Sequence, residues 1–165
     1  GIRCGVFSWS DILWSGSPWS ELTVITVHKK FNEALSDETI VSFMSLPAIG
    51  DNTDHLAIET VGYYMKKLNP SGFNILIVLS DGIPNSAIYR GFINGIEATK
   101  TVVDLLRKEG VFICCVYLNV EKMEVTYHRR IYGNENLVVC ESVNELHNKM
   151  GNLLRRIALY LYSRA

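Results

Sequence analysis

The stretch Asn74–Asn85, "NILIVLSDGIPN", decides how the rest of the chain is read. Ile75 to Leu79 form an unbroken apolar run, too short for a helix of its own and without polar alternation. Such a run suits a strand covered on both faces, as in a parallel sheet. Ser80 and Asp81 follow, then Gly82, which lets the chain turn sharply, and Pro84, which removes a backbone donor. A buried strand therefore ends by delivering the Asp81 carboxylate to the rim of a sheet.

Reading outward, helices and strands alternate. "DHLAIETVGYYMKKL" (54–68) is amphipathic, with Ala57, Val61, Tyr64 and Leu68 on one stripe, and "NPSG" (69–72) is a turn. "GIEATKTVVDLLRKEG" (95–110) turns Ala98, Val102, Leu105 and Leu106 inward and places Gly110 at a left-handed C-cap. "VFICCVYL" (111–118) is a second double-buried strand and "NLVVC" (136–140) a short one. Ser142 and Glu145 form an S-x-x-E capping box for a last helix carrying Val143, Leu146, Met150, Leu153, Ile157 and Leu161 on one side.

Upstream, "IRCGVFSWS" (2–10) and "ELTVITVH" (21–28) read as strands. Gly16, Ser17 and Pro18 make the turn between them, and Trp9, Trp14 and Trp19 gather around it. Ser36 caps a short helix with Ile40, Phe43 and Met44 on one face, and Pro47 stops it. Parallel strands need crossover helices, so the expectation is α/β: a three-layer sandwich around a Rossmann-like, mostly parallel sheet.

Composition narrows the function. The chain has 165 residues, 48% of them hydrophobic, which is enough for a core. Its 16 basic and 17 acidic residues leave a formal charge of -1, so no electrostatic case exists for nucleic acid or an anionic membrane surface. No apolar segment approaches the roughly 20 residues that span a bilayer. Cys4, Cys114, Cys115 and Cys140 make no C-x-x-C and no histidine stands at ligand spacing from them, so they read as buried thiols of a reducing, cytoplasmic compartment. Adjacent Cys114 and Cys115 should face opposite sides of their strand.

In open α/β sheets, ligands bind outside the carboxyl ends of the strands. Asp81 stands at such an end, and "GDNTDH" (50–55) precedes a helix that leads into the same strand. Asn52, Thr53 and Asp54 beside Asp81 are oxygen donors of the kind Mg²⁺ takes. The same residues serve equally as a helix cap and a turn. No P-loop, dinucleotide fingerprint or G-x-S-x-G elbow occurs.

At these motifs the chain resembles the von Willebrand factor A (vWA) domain, an α/β sandwich with a metal-ion-dependent adhesion site on the carboxyl edge of its sheet. "LIVLSDGIPN" resembles the family's aspartate element and carries that role onto Asp81; "DNTDHLAI" resembles the middle element and carries the threonine position onto Asn52. The nearest branch holds the cobaltochelatase subunit CobT and the nitric-oxide-reductase activation protein NorD. Its S-D-G-x-P is "SDGIP" here, its N-V-D-G-E-A-L is "NTDHLAI", and its V-T-x-Y-Y-R-R is "VTYHRR" (125–130). "YRGFINGIEATKTVVDLL" and "GVFSWSDILW" resemble further segments of the branch, in the same order.

The resemblance implies a non-catalytic interaction module that works beside a MoxR-like AAA+ ATPase in a metal-chelatase or metalloenzyme-activation complex. It implies Mg²⁺ at Asp81, Asn52 and Asp54, and partner contacts at Thr53, Pro84, Arg129 and Arg130. The family's D-x-S-x-S, which follows its central first strand, is absent; "SWSD" (8–11) has serines without the leading acid and sits in a strand resembling the family's second. A sheet without that strand leaves two unpaired edges, at about 1–3 kcal/mol for each unsatisfied buried group. Residues 1–165 are therefore read as one vWA-like domain, the C-terminal part of a longer chain, with another chain completing the sheet, or a sheet rearranged around the gap, as the alternatives. Two other readings stay open: a metal-assisted hydrolase using Asp81 and Asp54 with His55 as base, and a structural α/β domain with a degenerate metal site.

Overall fold

The structure, a computed structural model, describes residues 3–13, 21–45, 51–85, 87–89, 91–118 and 121–162. The expected turn at Gly16–Pro18, Trp14, Trp19, Pro47 and Gly50 lie outside the described residues, as do the side chains of Phe43, Met44 and Val143. The chain packs as two units. The first takes Gly1–Ala57 and Pro84–Gly95; the second takes Ile58–Ile83 and Ile96–Ala165.

In the first unit, β1 (Val6–Leu13) and β2 (Glu21–Lys29) form a two-stranded antiparallel sheet, with Trp9 opposite Ile25 and Asp11 opposite Thr23. β1 begins four residues later than its sequence suggests. Lys29, at the end of β2, is buried and donates to the Cys4 carbonyl, which ties the segment before Val6 down as a loop. Helix α1 (Asp37–Met44) is capped as expected: the Ser36 hydroxyl accepts from the Thr39 N–H at 3.3 Å. Ile40 is exposed rather than turned to a core.

The second unit is an α/β layer structure. β3 (Asn74–Ser80), β4 (Val111–Tyr117) and β5 (Leu137–Val139) form a parallel sheet in the order β3-β4-β5. The register pairs Ile77 with Cys114 and Ser80 with Tyr117. Helix α3 (Phe92–Lys108) links β3 to β4, and α4 (Lys122–Tyr132) links β4 to β5, as parallel pairing requires. Gly110 ends α3 at φ 87, where a side chain would be strained.

β4 is buried on both faces, and the adjacent cysteines do separate. Cys114 and Val116 join Cys140 and, from α5 (Val143–Tyr162), Leu153 and Ile157 in one cluster. On the opposite face Tyr117 packs against His128 of α4. Glu145 reaches back to the Glu141 N–H at 3.1 Å, one residue before the N–H a capping box would use.

Two helix faces are rotated from expectation. In α2 (Asp54–Leu68) the buried stripe is Ala57, Ile58, Val61 and Met65, while Tyr64 and Leu68 are exposed. In α3 it is Val102, Val103 and Leu106, with Leu105 exposed. Apolar residues at two adjacent registers leave the sequence pattern degenerate, and packing selects one. The close seat of Gly62 against Leu106 selects it here. The expected parallel sheet is β3-β4-β5, while β1 and β2 pair antiparallel with each other in a sheet of their own. The compact arrangement is α/β, a parallel sheet flanked by helices, compatible with a Rossmann-like layout.

Candidate functional site

The carboxyl ends of β3, β4 and β5 share one edge of the parallel sheet, and Asp81 stands there. It is exposed, and its carboxylate makes no hydrogen bond or ion pair among the described residues. The loop beneath it is held. The Gly82 carbonyl accepts from the Ser80 hydroxyl at 2.8 Å and faces His128 Nε2 at 2.9 Å. The Ser80 carbonyl in turn accepts from the Leu118 N–H at 2.8 Å.

His128 is 1% exposed. Its ring lies 4.2 Å from that of Tyr117 and stacks on Tyr132 at 6.1 Å, and the Tyr117 hydroxyl donates to Glu124. A carbonyl oxygen only accepts, so Nε2 carries the proton and donates. Nδ1 is then an acceptor, buried without a partner among the described residues. Burial pushes the imidazole below its ordinary pKa, while the Gly82 carbonyl and the Glu124 charge oppose that shift.

Asn52, Thr53 and Asp54 come together in the first unit. The Asp54 carboxylate is 1% exposed; one of its oxygens accepts from Trp9 Nε1 at 3.0 Å and from Asn52 Nδ2 at 2.9 Å. The Asn52 amide oxygen accepts from the Asn85 N–H at 3.2 Å, and the two residues also form a backbone bridge. The Thr53 hydroxyl donates to Asp11, whose backbone N–H donates to the Asp51 carbonyl at 2.9 Å. Asp11 is buried, and its second carboxylate oxygen has no partner among the described residues.

Sequence reasoning missed two members of these arrangements. Asp11 lies in "SWSD", read only for its serines. His128 lies in "VTYHRR", read only as a motif of the resemblance and for Arg129 and Arg130, although Val125, His128, Ile131 and Tyr132 recur at helical spacing and are all buried. That periodicity was the signal that could have found it.

Of the expected contact residues, Thr53 is buried and its hydroxyl donates to Asp11, and Pro84 is buried. Arg129 and Arg130 are exposed on α4. Arg130 pairs with Glu97 at 2.6 Å, whereas Arg129 makes no ion pair among the described residues.

The Mg²⁺ implied by the resemblance does not fit its assigned donors. Asn52 and Asp54 are turned onto internal N–H groups, and Asp54 is closed to solvent. Among the described residues, no three His, Cys, Asp or Glu side chains gather where they could hold a metal ion. The hydrolase alternative meets the same obstacle, since His55 Nδ1 lies 2.8 Å from the Tyr89 hydroxyl and Asp54 is enclosed. Among the described residues, no helix is long and apolar enough to cross a membrane. No family model, no curated protein and no solved structure matches the chain.

Proposed function

We propose that the chain is a non-catalytic interaction module of vWA type that docks a MoxR-like AAA+ ATPase through the Asp81 loop, within a CobT-like metal-chelatase or metalloenzyme-activation complex. One observation carries the reading. Asp81 is an exposed carboxylate, without a hydrogen bond or ion pair among the described residues, on a loop whose Gly82 carbonyl has Ser80 and His128 against it, at the carboxyl edge of a parallel sheet. A charge fixed by its scaffold binds with less ordering cost than one on a mobile arm. Arg129, exposed on α4, is the second contact. The ATPase supplies the energy, and no step runs through a metal ion.

Capture of the MoxR-like ATPase from the protein's own source tests the proposal. Asp81→Ala should abolish capture and leave the thermal midpoint in place, because an exposed surface side chain contributes within about 0.5 kcal/mol to stability. Undiminished capture by Asp81→Ala would sink the reading.

A further inference from the structure

We infer that His128 is the positioning residue of the Asp81 loop: its Nε2–H holds the Gly82 carbonyl and thereby fixes the direction of the carboxylate beside it. The functional part of this inference rests on the proposed role of Asp81. The hold on the loop stands on the second unit's geometry alone.

His128 occupies a slot that stability does not reserve for histidine. It is enclosed between the rings of Tyr117 and Tyr132. A phenylalanine would fill the same space with the same aromatic neighbours. It would also remove the buried Nδ1, which has no partner among the described residues and whose desolvation is uncompensated. What phenylalanine cannot supply is the 2.9 Å contact to Gly82. The imidazole thus carries a cost at one nitrogen and makes a single directed interaction at the other, and that interaction ends on the residue next to Asp81.

The restraint comes from two elements. The Ser80 hydroxyl reaches the same carbonyl from β3 itself, so it moves with the strand end. His128 reaches it from α4, across 46 residues of sequence. Among the described residues, it is the α4 contact that ties Gly82 itself to a second element. Gly82 has open space where a Cβ would stand, so no side-chain packing of its own restrains it.

Three proteins test this: wild type, His128→Phe and His128→Gln, the last keeping a side-chain N–H. The first readout is ¹⁵N relaxation of Asp81, Gly82 and Ile83, with the ring nitrogen shifts of His128 reporting its tautomer. Wild type should show the Nε2–H tautomer and loop order parameters near the rigid value of about 0.85, falling toward about 0.6 in His128→Phe and recovering in His128→Gln. The second readout is ATPase capture, expected to weaken at least tenfold in His128→Phe and recover in His128→Gln, with thermal midpoints alike. Equal order parameters in wild type and His128→Phe, or an Nδ1–H tautomer in wild type, overturn the inference. So does capture by His128→Phe equal to wild type. If wild type captures no ATPase, the proposed function fails, and the relaxation data alone decide whether His128 holds the loop.

Discussion

Replacing Gly62 by alanine places a methyl group 2.5 Å from Leu106 Cδ1 and 2.8 Å from Cδ2. Carbon atoms pack best about 3.5–4.0 Å apart, so roughly 1 Å must be found. Leu106 is 1% exposed and cannot swing into solvent. Either its rotamer is strained or α2 and α3 separate, at a cost of about 1–3 kcal/mol. Against this, alanine is favoured over glycine in a helix interior by about 0.8–1.0 kcal/mol. The net expectation is a loss of roughly 0–2 kcal/mol. Gly151, in α5, supplies the control: nothing lies within 4 Å of its Cβ position and it is exposed. Gly151→Ala should show the helix gain alone. The difference between the two variants isolates the steric term, about 1–3 kcal/mol. Thermal unfolding followed by circular dichroism resolves it, since 1 kcal/mol moves the midpoint by roughly 2–4 °C in a chain of this size. Should Gly62→Ala be as stabilising as Gly151→Ala, the close seat of α2 on α3, and with it the buried face assigned to α2, would be wrong.

Two further outcomes follow from buried titratable groups. His128 has its pKa lowered from 6.5 by burial, so below that value the unfolded chain takes up the proton that the folded one refuses; stability should fall as pH drops from about 6.5 toward the lowered folded value, and His128→Phe should flatten that limb of a urea-midpoint profile. Cys114 is pushed up to about 12 and Cys140 is raised, both chiefly by burial, while Cys4 is exposed. A thiol reagent at pH 8 should therefore label Cys4 first in the native protein and the other three cysteines only after unfolding; fast native labelling of Cys114 would contradict the burial of β4.

The sequence by itself determined the elements whose identity is local. "ILIVL" and "VFICCVY" were legible as strands because they are short continuous apolar runs, but the expectation of cover on both faces holds for β4 and not for β3, where Val78 is buried while Leu79 is 40% exposed. Ser36 and Gly110 marked helix ends through the chemistry of single residues, and Asp81 at a strand terminus followed from the glycine and proline after it. The tertiary structure decided what depends on neighbours distant in the chain. It chose which of two adjacent apolar stripes of α2 and α3 is buried, a choice made by the fit of Gly62 to Leu106. It paired β1 with β2 antiparallel, since period-two patterns do not name a partner strand. It enclosed Asp54 and Thr53 by bringing them against Trp9 and Asp11, 45 and 42 residues away. It set His128 against the Gly82 carbonyl across 46 residues. A polar side chain in sequence is equally a solvated group and a buried strut; only the arrival of its partner, fixed by packing, tells the two apart.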